Sequence, residues 1–249
     1  MSTIDNVRNQ DIELEFKDGF AETQILKDVY PDVKVYRGEV KAGNTAAPET
    51  YARAHQIIAF TDGKGYVTTP KKAFNITELS FFIAEPGQPF EIHAASDSDL
   101  IYTKFIVRLT DHDIEVYNDF HIVLPYFLPI SQAQEYYQAC KTPGTRNWTV
   151  LATKRLNRCL MGVVEAPNGG GTFEKGHPAV AQFNVILDKA DMKFAVQGKG
   201  EVEQHPGDVS YVLAGLDHQL YADPGKCTHY IWFEHYVQEI GYIVTNPHF

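Results

Sequence analysis

A chain of 249 residues with 44% hydrophobic and 12% aromatic content is long enough to bury one large core or two of about 100 to 120 residues each, which excludes a disordered chain. Its 32 acidic against 22 basic residues give a formal charge of −10, and no Lys/Arg block supplies the local cations that phosphates need, so nucleic acid is excluded as an expected partner. No apolar run reaches the roughly 18 residues of a spanning helix, and the polar opening MSTIDNVRNQDIE lacks the apolar core of a signal peptide, so the expectation is a soluble cytoplasmic protein with no membrane partner.

In chain order, short runs rich in Val, Ile, Tyr and Phe alternate with turn signals: KVYRGEVKAG, HQIIAFTDGKGYVTT, ELSFFIAEPG and IYTKFIVRLT, then LMGVVEAPNGGG, AQFNVILD, GDVSYVLAG and HYIWFEHY. Many short strands separated by Gly, Pro, Asn and Asp predict an all-β sandwich or barrel. Between the two groups, ISQAQEYYQACK near residues 130–141 reads as a short helix, capped by Ser131 and ended by CKTPG. Pro125 and Pro129 just before it suit an extended linker. Cys140, Cys159 and Cys227 are odd in number and match no CxxC pattern, so they are read as small buried apolar residues rather than disulfides or zinc thiolates.

The two groups form a repeat. A shift of 128 residues places Gly43 on Gly171, Gly87 on Gly215, Ile92 on Leu220, Ala94 on Ala222, Tyr102 on Tyr230 and Phe105 on Phe233. The register slips to 126 at Gln56 and Gln182, and to 124 further upstream, where GEVKAG (Gly38 to Gly43) meets GVVEAP (Gly162 to Pro167). A duplicated all-β unit of about 110 residues follows. The predicted division is an N-terminal barrel over 1–125, a linker with the short helix over 126–144, and a C-terminal barrel over 145–249.

In the second half Gly171-Thr-Phe-Glu-Lys-Gly-His177 has a Gly-x5-His spacing, with Ala179 two residues on and Gln182 beyond it. Further along, PGDVSYVLAGLDH carries Gly207, Leu213, Gly215 and His218. These stretches resemble the two cupin motifs, G-x5-H-x-H-x3,4-E-x6-G and G-x5-P-x-G-x2-H-x3-N. Ala179 stands where the family has its second His, Gln182 near its Glu, Lys189 near its Gly, Leu213 at its Pro and His218 at its closing His. The first half keeps the framework, with Gln56-x6-Gly63, but Glu49, Tyr51 and Phe90 fall on the His positions. The resemblance covers about residues 33–237.

It implies two tandem cupin barrels of double-stranded β-helix (jelly-roll) type, with a divalent metal (Fe, Mn, Ni or Zn) held in the C-terminal barrel by His177, Gln182 and His218, and with Glu174 able to complete the set. The N-terminal barrel, with Glu49, Gln56 and Phe90 at those positions, loses its metal. Because strand side chains alternate between faces, the odd spacing of His177 and Gln182 requires a kink or bulge between them. Alternation also puts His229, Ile231, Phe233 and His235 on one face of HYIWFEHY, and Tyr230, Trp232, Glu234 and Tyr236 on the other. If the aromatic face lines the interior, Tyr230, Trp232 and Tyr236 wall a substrate pocket, and Glu234 is a candidate catalytic acid or base.

The leading reading is a metal-dependent bicupin enzyme of isomerase, lyase or dioxygenase type, acting on a small polar metabolite such as a keto acid or sugar derivative. The alternative is a non-catalytic bicupin that binds a small molecule without metal. A weaker third is a structural duplication whose first barrel serves dimerisation. A homodimer is expected from the polar N-terminal arm and from barrel edges that a neighbour's strand would cover.

Overall fold

The computed structural model describes residues 4–119 and 122–239, and the runs read as strands are strands. β-branched and aromatic side chains pack well on a pleated, half-buried surface. Met192–Val196 shows the resulting alternation, burying Met192, Phe194 and Val196 and leaving Lys193 and Ala195 partly exposed. Val180–Ile186 is buried at every residue, so both of its faces are covered.

The chain divides into two units. One holds residues 12–114 and 123–133. Among the described residues its larger sheet runs Tyr126–Pro129, Ser80–Ile83, Ala54–Asp62, Leu100–Arg108, Val33–Val40, Phe20–Ile25 from edge to edge, and its smaller sheet runs Thr45–Ala46, Glu91–Ala94, Gly65–Thr68, Ala73–Ile76. All the pairings between neighbouring strands are antiparallel. Ile58, Phe60, Phe82 and Tyr102 from the first sheet meet Val67, Phe74 and Ile92 from the second in one core. Each sheet thus buries an apolar face against the other.

The other unit holds the described parts of 1–11, 115–122 and 134–249. Its larger sheet runs Asp5–Val7, Val209–Val212, Val180–Ile186, Thr228–Tyr236, Cys159–Ala166, Arg146–Leu156, Gln134–Glu135, and its smaller sheet runs Gly170–Glu174, His218–Ala222, Met192–Val196, Gly200–Gln204. Val164, Ile186, Val212 and Tyr230 pack against Met192, Phe194, Val196 and Leu220.

The ladders fix how the two halves correspond. Leu100–Arg108 and Thr228–Tyr236 keep the offset of 128, and Gln56 faces Ile106 as Gln182 faces Glu234. Ala46 faces Ile92 as Thr172 faces Leu220, and Gly38 faces Tyr102 as Val164 faces Tyr230, so the upstream strands share one offset of 126. The registers of 124 at Gly38 and 128 at Gly43 are corrected to this value. Tyr51, not Glu49, therefore takes the place of His177, while Phe90 still takes that of His218.

Two expectations from the sequence change. Residues 130–141 are not a helix: Ile130–Gln132 is a 3-10 turn and Gln134–Glu135 a strand against Trp148 and Thr149. The chain then turns at Ala139–Cys140, where Lys141 N donates to Gln138 O, and runs beside Gly171–Phe173, with Phe173 N donating to Cys140 O and Thr142 N to Gly171 O. Tertiary pairing overrides the local helix preference. The α-helix among the described residues is Asp111–Asp119. It opens with a reciprocal cap in which Asp113 N donates to Thr110 Oγ1 and Thr110 N donates to Asp113 Oδ2. The boundaries shift as well, because residues 134–144 and the N-terminal arm go with the C-terminal unit. Asp5–Val7 pairs with Val209–Val212 of its own chain, so the arm is not a free element for a neighbour. Among the described residues no helix is long and apolar enough to cross a membrane.

Candidate metal centre

Three local features in the C-terminal unit gather titratable side chains. Gly170–Glu174 pairs with His218–Ala222 in a register that sets Glu174 opposite His218. The loop after Glu174 is tied to the turn before His218: Gly176 N donates to Asp217 Oδ1 at 2.8 Å and Gly215 N donates to His177 O at 2.9 Å. A Cβ on Gly176 would lie 2.3 Å from the backbone of Gly215, so glycine permits the approach that brings the rings of His177 and His218 to 6.4 Å. Glu234 arrives from Thr228–Tyr236, opposite Gln182.

Glu174 is the hub. Its Oε2 lies 3.3 Å from His177 Nε2 and 3.4 Å from His218 Nε2, while Oε1 accepts from Gln138 Nε2 and Cys140 Sγ, each at 3.4 Å. Burial works against the charged carboxylate. The two histidines and the field of Lys141 outweigh it and hold Glu174 well below the usual carboxylate range. The same contact with Glu174 raises His177, against the opposing effect of burial. Burial pushes the Cys140 thiol up to about 11, with Glu174 adding to it, so the thiol stays protonated at neutral pH. Burial also lifts Glu234 to about 7.

Two buried side-chain atoms at this site, on His218 and Gln182, make no hydrogen bond. His218 Nδ1 sits 3.1 Å from Leu216 O, which only accepts, so Nδ1 carries a proton, and in the neutral ring Nε2 presents a lone pair. Nε2 makes no well-aligned hydrogen bond and lies 3.4 Å from the Glu174 carboxylate, which a proton on the ring stabilises. Gln182 donates its amide to Asn184 Oδ1 at 2.7 Å and leaves Oε1 without a partner. Two electron-rich atoms face to face repel unless a cation or a proton lies between them. Donor atoms about 2.1 Å from one ion stand ~3.0–3.4 Å apart, which is the spacing of Glu174 Oε2 from both imidazoles. Glu174, His177 and Glu234 also offer ligand atoms within 4.8 Å of one another. The imidazole and carboxylate donors suit a divalent first-row ion, and the residues present fit one.

A cavity of about 870 Å³ opens onto this cluster. Its wall includes Tyr230, Trp232, Glu234 and Tyr236, the aromatic face of the last strand, together with Gln182, His177 and Glu174. His229, Ile231, Phe233 and His235 contribute nothing to the lining. No bulge between His177 and Gln182 is needed, because His177 lies in the loop before Val180–Ile186 and Gln182 within that strand. Further wall residues, Tyr136, Tyr137, Gln138, Cys140 and Lys141, fall in the stretch that the sequence reads as a helix, and no local signal marks them.

The N-terminal unit keeps Gln56 at the place of Gln182 but differs at the places of His177, His218 and Glu234. Phe90 is buried and packs on Phe82 with ring centroids 5.3 Å apart, Tyr51 donates to Glu49 Oε2 at 2.8 Å, and Ile106 stands where Glu234 would be. His93 is held by Thr45 and Thr68, each at 2.9 Å, and stacks on Tyr66. Lys104, 1% exposed, pairs with Glu22 at 2.6 Å, and Tyr102 donates to the other oxygen of the same carboxylate at 2.8 Å.

No protein-family model matches the chain, and no curated protein matches its sequence. Solved structures do resemble it. A putative glyoxylate-induced protein from Pseudomonas aeruginosa superposes with a TM-score of 0.75 at 12% identity, over 97% of this chain and 90% of that one. A mutant of Bacillus subtilis oxalate decarboxylase gives 0.74 at 10% identity, over 95% and 79%. The formate complex of Lactobacillus farciminis oxalate decarboxylase gives 0.71 at 11% identity, over 95% and 87%. At these identities the likeness is one of fold, and the fold is the all-β cupin fold that the glycine framework implied.

Proposed function

We propose that the chain is a metal-dependent bicupin enzyme, two tandem jelly-roll barrels with the active site in the C-terminal one, acting on a small keto acid or related carboxylate. The observation that carries this reading is a pair of buried donor atoms without a hydrogen bond, His218 Nε2 behind Glu174 and Gln182 Oε1, at a cavity that Gln182, Glu174 and His177 line and that is large enough for a metabolite. The names of the neighbours, oxalate decarboxylase and a glyoxylate-induced protein, support a small oxo or dicarboxylic acid as the substrate class.

Glu174, His177, His218 and Gln182 would hold the ion. When bound, a divalent metal polarises a coordinated oxygen and leaves open positions for substrate or water. Glu234, lifted by burial to about 7, exchanges a proton near neutral pH and stands beside the cluster, which suits a general acid or base. Tyr230, Trp232 and Tyr236 wall the cavity, and their rings exclude water from one side of a bound substrate.

Elemental analysis of the purified protein and of His218→Ala, with turnover assays on a panel of 2-oxo acids and dicarboxylates, tests the reading. Stoichiometric Fe, Mn, Ni or Zn, lost together with turnover in His218→Ala, is the expected result. A metal-free wild-type protein that binds these acids without turning them over would replace it with the non-catalytic alternative.

A further inference from the structure

Lys141 is a cation in an unusual position. It is 9% exposed and lines the cavity, and its Nζ makes one hydrogen bond, to Thr172 Oγ1 at 3.0 Å. That hydroxyl also accepts from Tyr230 OH at 2.8 Å. Among the described residues no carboxylate lies within ion-pair distance of Nζ. Lysine is almost never buried without a counter-charge, and an ammonium has three donors, so Lys141 keeps two of them uncommitted.

The placement is built into the backbone. Lys141 bridges to Thr172 across an antiparallel contact, flanked by the bonds from Phe173 N to Cys140 O and from Thr142 N to Gly171 O. Gly170, at φ +88, allows this approach, since a Cβ there would lie 2.2 Å from Thr142 Oγ1. Burial depresses the ammonium below the ordinary lysine range, and Glu174 offsets part of that effect. Glu174 already answers to His177 and His218, so the charge of Lys141 remains for something that enters the cavity.

We infer that Lys141, fixed by Thr172 and Tyr230, is the anchor for the carboxylate of the substrate, a specificity-determining residue that selects anions over neutral analogues. The inference rests on the reading of this cavity as the active site. A carboxylate placed on Nζ accepts the two free donors and supplies the missing counter-charge. The other end of a short acid then points towards Glu174 and Glu234.

The test titrates pyruvate and its neutral amide, pyruvamide, into wild type, Lys141→Met and Lys141→Arg by calorimetry, with metal content and melting temperature measured on the same samples. Wild type should prefer pyruvate. Lys141→Met should weaken pyruvate by about tenfold or more, the scale of a hydrogen bond to a charged group, abolish the preference over the amide and leave metal content unchanged. Lys141→Arg should keep the preference. A smaller loss in Lys141→Met, equal binding of acid and amide by wild type, or no binding of either at millimolar concentration overturns the inference. The outcomes separate the two readings: metal present with pyruvate binding indifferent to Lys141 sinks the anchor alone, and Lys141-dependent binding without metal sinks the metalloenzyme alone.

Discussion

Glu174 Oε2 and His218 Nε2 stand 3.4 Å apart on facing strands, and with Nδ1 committed to Leu216 O a neutral imidazole turns its lone pair to the carboxylate. A cation held by both atoms relieves their repulsion. Glu174→Gln, which keeps the shape and removes the charge, should lower Mn or Fe affinity by about 10- to 100-fold, and His218→Ala by at least as much. Metal titration followed by thermal shift reads this directly. Retention of wild-type affinity in both variants would mean that the donors lie elsewhere.

In metal-free protein the buried carboxyl of Glu234 should govern part of the acid–base response. Its folded value is raised from 4.5 to about 7, so the folded state binds the extra proton between these limits. Its contribution is therefore complete below about 4.5 and is lost as pH rises through about 7. Melting curves of chelator-treated wild type should fall across that window, and Glu234→Gln should flatten the trend. A wild-type curve that rises there would refute the assignment.

Phe90 occupies the place of His218 but serves the core of the N-terminal unit. Phe90→Ala should cost about 3–5 kcal/mol of stability and leave metal content unchanged, as denaturation and elemental analysis would show. A change in bound metal would place an ion in that unit.

Lys104 and Glu22 form an ion pair with the lysine fully covered. Removing one partner should destabilise by about 3–5 kcal/mol, whereas Lys104→Met combined with Glu22→Gln should cost less than the sum of the single changes, because no uncompensated charge stays buried. Urea denaturation of the single and double variants measures this coupling. Additive losses would show that the two charges do not depend on each other.

Much of this architecture is legible in the sequence. The identical spacing of Tyr102 and Phe105 with Tyr230 and Phe233 located the duplicated strands, and alternation within HYIWFEHY separated the cavity-lining side chains from the others. The upstream register was harder for a physical reason. Gly38 clears space for Tyr102 and Gly162 for Trp232, where an added Cβ would approach the rings to 2.1 and 2.4 Å, but the two glycines sit on rungs two residues apart. Matching glycine to glycine slides the alignment by one pleat repeat, which leaves every side chain on its correct face, so alternation gives no warning. The segment 134–142 was illegible for a different reason. Its path depends on Trp148, Thr149 and Gly171–Phe173, partners that local propensity does not see. The helix at Asp111–Asp119 carried a readable cap in Thr110 and Asp113, which the strand signal of IYTKFIVRLT overshadowed.

The strand Asp5–Val7 closes one edge of the C-terminal unit, and Asn9 N reaches Asp208 Oδ1 across 199 positions of sequence. During synthesis this strand leaves the ribosome about 200 residues before its partner Val209–Val212. For most of translation the early segment has nothing to pair with, while the N-terminal unit has all of its strands once residue 133 has emerged. In the growing chain the N-terminal unit should therefore fold before Asp5–Val7 docks. Loss of those residues would leave Val209–Val212 as a bare edge open to strands of other chains.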